Sequence, residues 1–251
     1  MSPPRILHLT DTHLFASTRK VLRGVVTQHS LDRVLERAQR HGWPPDAILL
    51  TGDLVHDESR AGYERLRERF AAFGLPVYCI AGNHDDPGIM REVLDAPPMQ
   101  CAGSATLGNW CIVLLETHVP GEDGGTLSPD TLQRLDSTLT AQASHHALLC
   151  MHHHPVAVGS AWLDGLAISN RDALFGVINR HANVRALLWG HVHQAFDEQT
   201  ADLRLLATPS TCVQFKPNCS RFRSDSLPPG CRWLTLHDDG RIGTEVQWAN
   251  A

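Results

Sequence analysis

No run of 18 apolar residues occurs anywhere in the 251-residue chain, so the sequence predicts no membrane-spanning helix. The opening "MSPPRILHLTDTHL" lacks a charged segment followed by a long apolar one. A secretory leader is therefore not expected. Excess positive charge is also missing: Lys and Arg number 22 against 27 Asp and Glu, for a net charge of −5. That argues against a nucleic-acid partner, whose binding surfaces usually show a basic stripe. The seven cysteines, at 79, 101, 111, 150, 212, 219 and 231, include no CxxC pair. An odd, scattered set excludes a disulfide framework and weakens a structural zinc site. Cys79, Cys111 and Cys150 fall inside apolar runs, as buried reduced thiols of a cytoplasmic protein would. Internal repeats and low-complexity linkers are absent. The expectation is one domain over residues 1–251, and the sequence sets no oligomeric state.

What is present is a regular alternation. Apolar residues make up 42% of the chain, enough for a large core. "RILHLT" (5–10), "DAILLT" (46–51) and "PVYCIA" (76–81) read as buried strands. Between them lie two helices. The first is capped by Ser30, with Leu31, Val34, Leu35 and Ala38 on one face. The second carries Tyr63, Leu66, Phe70 and Phe73 and stops at Gly74. "SATLGNWCIVLLE" (104–116) reads as a hairpin turning at Gly108-Asn109. Ser128-Pro129 opens a helix with Leu132, Leu135 and Leu139. "ALLCM" (147–151) and "VRALLWG" (184–190) are further strands. Ser169 and Asp172 suggest a capping box before Leu174, Phe175 and Ile178. From His193 to Trp248 the pattern is short strands, with turns at Pro209, 228–230 and 238–240. The simplest architecture is α/β: two mixed sheets packed face to face with helices outside.

The polar residues cluster at strand ends. "DTH" (Asp11, His13), "GD" (Asp53), "GNHD" (Asn83, His84, Asp85), His152 and "GHVH" (His191, His193) each follow an apolar run. Loops at the carboxyl ends of strands can converge on one site. Carboxylate, amide and imidazole donors without thiolate suit iron, manganese or zinc. A lone "GD" is as easily a turn, but five such groups in succession point to a site.

These ordered motifs resemble the calcineurin-like metallophosphoesterases. "MHHHPVAVGSAWLD" (151–164) and "LLATPSTCVQFKP" (205–217) resemble in particular the bacterial class III 3′,5′-cyclic AMP phosphodiesterases. The resemblance implies a four-layer α/β/β/α sandwich. It also implies two metal ions, iron or manganese first and zinc compatible. Asp11, His13, Asp53 and His193 would hold one ion; Asp53, Asn83, His152 and His191 would hold the other. His84 would face the leaving group with Asp85 as its orienting partner. His13, Asp53, Asn83, His84 and His193 would border the substrate phosphate. The implied reaction opens 3′,5′-cyclic AMP to 5′-AMP, with Asp53, Asn83 and His84 in the catalytic machinery. The same centre could serve other esters, such as 2′,3′-cyclic nucleotides or glycerophosphodiesters. A metal-free scaffold would show eroded ligands, and none is eroded.

Other histidines draw plainer readings. His8 should be packed in its strand, and His56 should begin a helix. His145 and His146 should be solvated. In "HHH" (152–154) only His152 should be a ligand: His153 should point into packing or a hydrogen bond, and His154 toward the pocket wall or against a ligand. Segment 208–215 is either a turn with core residues or, as the resemblance implies, a neighbour of the metal ligands or of the nucleobase.

Overall fold

The computed structural model describes residues 2–200 and 203–249; the remaining positions of the expected 1–251 domain lie outside the described residues. In chain order the elements are β1 (Arg5–Leu9), β2 (Val21–Leu22), β3 (Val25–Val26), α1 (Thr27–Gln39), β4 (Ala47–Thr51), α2 (Arg60–Ala71) and β5 (Val77–Ile80). Then come α3 (Pro87–Leu94), β6 (Met99–Gln100), β7 (Gly103–Leu107), β8 (Trp110–Leu114), α4 (Pro129–Ala141) and β9 (His146–Cys150). The rest is α5 (Ala161–Asp164), α6 (Arg171–Ile178), β10 (Val184–Trp189), β11 (Phe196–Gln199), β12 (Arg204–Ala207), β13 (Gly230–Leu236) and β14 (Ile242–Trp248).

Two six-stranded sheets form, ordered β14-β13-β1-β4-β5-β6 and β11-β12-β10-β9-β8-β7. Each has four parallel strands: β1, β4, β5 and β6 in one, β12, β10, β9 and β8 in the other. Antiparallel strands complete the edges. The parallel strands are largely apolar because both faces are mostly buried. Alternation sends Leu7, Leu9, Ile48 and Leu50 to the α1–α3 side. Ile6 and Leu49, with Leu234 of the same sheet, face the second sheet, where they meet Leu148 and Leu188. Leu149, Trp189 and Leu187 pack with Leu135, Leu139 and Leu174 of α4 and α6. The result is the expected four-layer α/β/β/α sandwich.

Local signals fared unevenly. Ser128 caps α4 by accepting from the Thr131 N–H, with Pro129 in the first turn. The β7–β8 hairpin turns at Gly108-Asn109, flanked by the Leu107–Trp110 pair. Ser30 is not a cap: α1 already begins at Thr27, and the Ser30 hydroxyl donates to the Thr211 carbonyl. The expected capping box is also absent. Asn170 occupies the cap of α6, and the Ser169 hydroxyl donates to Thr126. In both cases a tertiary partner outcompeted the local hydrogen bond. His146 starts β9, paired with Trp110, and its Nε2 lies 3.0 Å from the Asp238 carbonyl, so it is not a solvated loop residue.

Candidate metal centre

Parallel strands of both sheets end at one edge, and that edge carries the polar residues. Backbone hydrogen bonds knit the loops together. Asp11 N–H donates to the Gly52 carbonyl (3.0 Å) and His13 N–H to the Asp53 carbonyl (2.8 Å). Across the sheets, His191 N–H donates to the Asp11 carboxylate at 3.1–3.2 Å. Asp11, His13, Asp53, His191 and His193 all have left-handed backbone, with φ between 45° and 66°. Non-glycine residues rarely adopt this conformation, and such strain collects where side chains must be aimed. Gly82 packs so close to Asp53 that an added Cβ would collide with its backbone nitrogen. Only glycine permits that approach.

The side chains form two adjoining donor sets. In the first, His193 Nε2 lies 3.2 Å from Asp11 Oδ1 and 3.3 Å from His13 Nε2. His13 Nε2 lies 3.7 Å from Asp53 Oδ2. In the second, His152 Nε2 lies 3.3 Å from Asp53 Oδ1 and 3.1 Å from Asn83 Oδ1. His191 Nδ1 is also 3.1 Å from Asn83 Oδ1. Asp53 thus presents one oxygen to each set. Asp11, His13, Asp53, His152, His191 and His193 are all buried.

Proton accounting tests whether these residues fit a metal. His152 Nδ1 sits 2.7 Å from the Thr51 carbonyl, and His193 Nδ1 sits 2.7 Å from the Val213 carbonyl. A carbonyl can only accept, so in each neutral ring the proton is on Nδ1 and Nε2 carries a lone pair. Those lone pairs point at carboxylate, amide and imidazole acceptors. Converging lone pairs repel unless a cation lies among them, and oxygen and nitrogen donors of this kind suit a borderline metal. The residues fit the group.

The electrostatics agree. Burial, then the neighbouring histidines, holds His13 and His191 well below the usual imidazole range, in the neutral form that ligation requires. Burial opposes ionisation of Asp11, but His193 and His152 more than compensate and bring it below the usual carboxylate range. His152 departs from this pattern: burial is outweighed by Asp53 and Asp11, which raise its pKa and favour the protonated ring.

The neighbours modify several expectations. Asp85 does not orient His84. Its carboxylate accepts from the N–H groups of Leu54, Val55 and Gly82 and from the Tyr63 hydroxyl, tying the β4 and β5 loops together. Burial, then the charge of Asp53, pushes Asp85 up to about 6. His84 donates its backbone N–H to Asp53 Oδ1 (2.9 Å), and its ring packs against His56 and His13. His56 is therefore at the site rather than in a helix start; α2 begins at Arg60, capped by Ser59. The one clue to His56 was its place three residues after "GD". His153 makes the expected hydrogen bond, to Thr117 Oγ1 at 2.8 Å. Of the two places expected for His154 the structure shows the second: it does not line the cavity but is buried against the His191 ring. His8 is packed as expected, between the Thr51 and Thr208 hydroxyls. Segment 208–215 is a neighbour of the site: the Ser210 hydroxyl donates to the Asp11 carbonyl, and Phe215 stacks on His193 at 4.0 Å.

A cavity of about 330 Å³ opens over the centre, with His13, Asp53, Asn83, His84, His191 and His193 at its polar end. Its other walls include Leu22, Arg23, His56, Trp162, Phe215 and Phe222. The hairpin and Phe222 gave no signal in the sequence, because only long-range packing brings them here; Trp162 was marked only by lying in the 151–164 segment that carries the resemblance. A larger cavity of about 610 Å³ contains none of the strand-end donors and is bordered by the Arg91–Glu116 pair.

Fold and donor sets together define a metallophosphoesterase, and the chain belongs to the calcineurin-like phosphoesterase family, whose profile matches residues 4–195. Among similar proteins is the 3′,5′-cyclic adenosine monophosphate phosphodiesterase CpdA of Pseudomonas aeruginosa, 42% identical over 96% of this chain and 88% of that one. The CpdA of Escherichia coli K12 is 43% identical over the same shares. Among solved structures, a dimetal phosphatase from Danio rerio superposes with a TM-score of 0.67 at 14% identity, over 100% of this chain and 98% of that one. TT1561 of Thermus thermophilus gives 0.64 at 15% identity, over 99% and 100%. These two likenesses concern the fold.

Proposed function

We propose that the protein is a metal-dependent phosphodiesterase that hydrolyses 3′,5′-cyclic AMP to 5′-AMP. The observation that carries this is the 42–43% identity, over 96% of the chain, to enzymes named for that substrate. All seven donor positions are filled, which disfavours a scaffold role. We read the whole chain as one domain acting in the cytoplasm.

Asp11, His13, Asp53 and His193 would hold one ion, and Asp53, Asn83, His152 and His191 the other. Iron or manganese heads the expectation, with zinc compatible. Bound there, the ions supply Lewis acidity and acidify water into a nucleophile at neutral pH. The protein fixes the geometry around them. Thr51 and Val213 carbonyls lock the His152 and His193 tautomers, as partners behind metal-binding imidazoles do. Asn83 and His84 line the cavity beside Asp53 and would contact the phosphate. His84 would give its proton to the departing 3′-oxygen. Its main chain is held by Asp53 and its ring is braced by His56 and His13.

The test is a substrate panel on protein reconstituted with iron, manganese or zinc: cyclic AMP, cyclic GMP, bis(p-nitrophenyl) phosphate and p-nitrophenyl phosphate. Cyclic AMP should be turned over fastest. Fast hydrolysis of another ester with negligible turnover of cyclic AMP would sink this substrate.

A further inference from the structure

Three large apolar side chains stand exposed among the described residues, and two of them flank the site. Phe222, 36% exposed, lines the cavity from the loop before β13. Val21, 53% exposed, belongs to the β2–β3 hairpin, whose next residues Leu22 and Arg23 line the cavity opposite. The Arg23 guanidinium lies 4.0 Å over the Phe222 ring, and Arg23 itself is held at φ 48°. Hairpin and loop therefore meet across the opening.

Behind Phe222 the aromatic surface continues inward. Trp162 and Phe215 contact it with ring centroids 5.4 and 5.2 Å away. Phe215 packs against Trp162 at 5.3 Å and stacks on His193 within 4° of parallel. The Trp162 indole N–H is buried without a hydrogen-bond partner. One cavity thus has a polar floor of Asp53, Asn83 and His84 and an aromatic wall of Trp162, Phe215 and Phe222. Phosphate-ester chemistry needs only the floor. An exposed aromatic patch beside a reactive centre marks a surface that binds something apolar and flat.

We propose that Trp162, Phe215 and Phe222, with Arg23 over the outer ring, form a subsite that stacks the planar base of a nucleotide ester. The proposal rests on the phosphodiesterase reading above and names the part of the substrate that the donor residues cannot read. Every base has a π-face, and aromatic or guanidinium groups stack on it. Phe222 is the outermost ring, so it sets the preference for a nucleotide over a base-free sugar phosphate.

The experiment is calorimetric titration of the metal-loaded protein with AMP and with ribose 5-phosphate, which differ by the base. Wild type should bind AMP more tightly. Phe222→Ala should weaken AMP by on the order of ten-fold, the usual worth of one stacked ring. It should leave ribose 5-phosphate unchanged, and Phe222→Trp should restore AMP. Equal affinity of wild type for both ligands overturns the subsite. So does an AMP preference that survives in Phe222→Ala, or a parallel loss of both ligands. Failure of the reaction is read separately: wild type that binds AMP by its base but leaves cyclic AMP intact refutes the substrate and not the subsite.

Discussion

Asn83 Oδ1 lies between two imidazoles, Asp53 divides its oxygens between two donor sets, and His84 is tied to Asp53 through its backbone N–H, with a ring nitrogen within 4.8 Å of those of His13 and His56. These placements separate binding from catalysis. His84→Ala should retain both metals, by elemental analysis, while turnover falls about 100- to 10,000-fold, the range for loss of a general acid. Metal lost along with activity would move His84 into the ligand set. The three consecutive histidines make a second residue-level test. His152→Ala should lose metal, whereas His153→Ala should keep it, because His153 is engaged by Thr117 instead. The reverse outcome, measured the same way, would mean the strand is read in the wrong register.

At the scale of the elements, strand ends supply the site and buried polar groups hold those ends in place. That arrangement makes the fold sensitive to acid. Burial, reinforced by the charge of Arg232, pushes His8 down to about 3, and burial pushes His154 down to about 4. Between pH 6.5 and those values the unfolded chain binds protons that the folded one refuses. Stability contributed above pH 6.5 is therefore lost as pH falls. Asp85 works the other way. With its pKa raised to about 6 from 3.8, the folded state takes up its proton first, which favours folding as pH drops through that interval. His13, His153 and His191, which burial also holds low, add to the two histidines, whereas the raised His152 sides with Asp85; the lowered histidines outnumber the raised groups. The melting temperature of metal-free protein should fall from about pH 6.5 to about pH 4, and His154→Leu should flatten that slope. A flat profile in the parent protein would contradict the assignment. The caps Ser128 and Pro129 were legible because they act within a single helical turn. Ser30 and Ser169 misled because distant partners, Thr211 and Thr126, claimed their hydroxyls.

For the molecule as a whole, the centre straddles two sheets. Asp11, His13, Asp53 and Asn83 come from one, and His152, His191 and His193 from the other. The layer between the sheets, including Ile6, Leu49, Leu148 and Leu188, therefore sets the distance between the halves of the site. Leu148→Ala should cost about 2–5 kcal/mol and also weaken metal binding. Leu35→Ala, in the layer under α1, should cost a similar amount while metal affinity holds. Calorimetry with manganese on the two variants checks this, and equal losses of affinity would refute it. Because the donors converge only in the folded chain, chelation should lower the melting temperature. Ligand at about 100 times its dissociation constant contributes about 2.7 kcal/mol.

The sequence alone determined the long buried strands and the layered α/β plan, because both depend on periodicity, and it marked polar groups at the strand ends; the choice of seven of them as ligands rested on the family resemblance. Alternation set His153 apart from His152, since facing along an extended strand is a local property, and the resemblance chose His152 over His154. Tertiary structure decided what surrounds those donors. It drew His56 beside His84 and turned Asp85 into a clamp on two loops. It also placed Arg23, Trp162 and Phe222 around one cavity from segments far apart in the chain. No local pattern encodes such meetings, because they follow from how two sheets pack and from where their connecting loops can then reach.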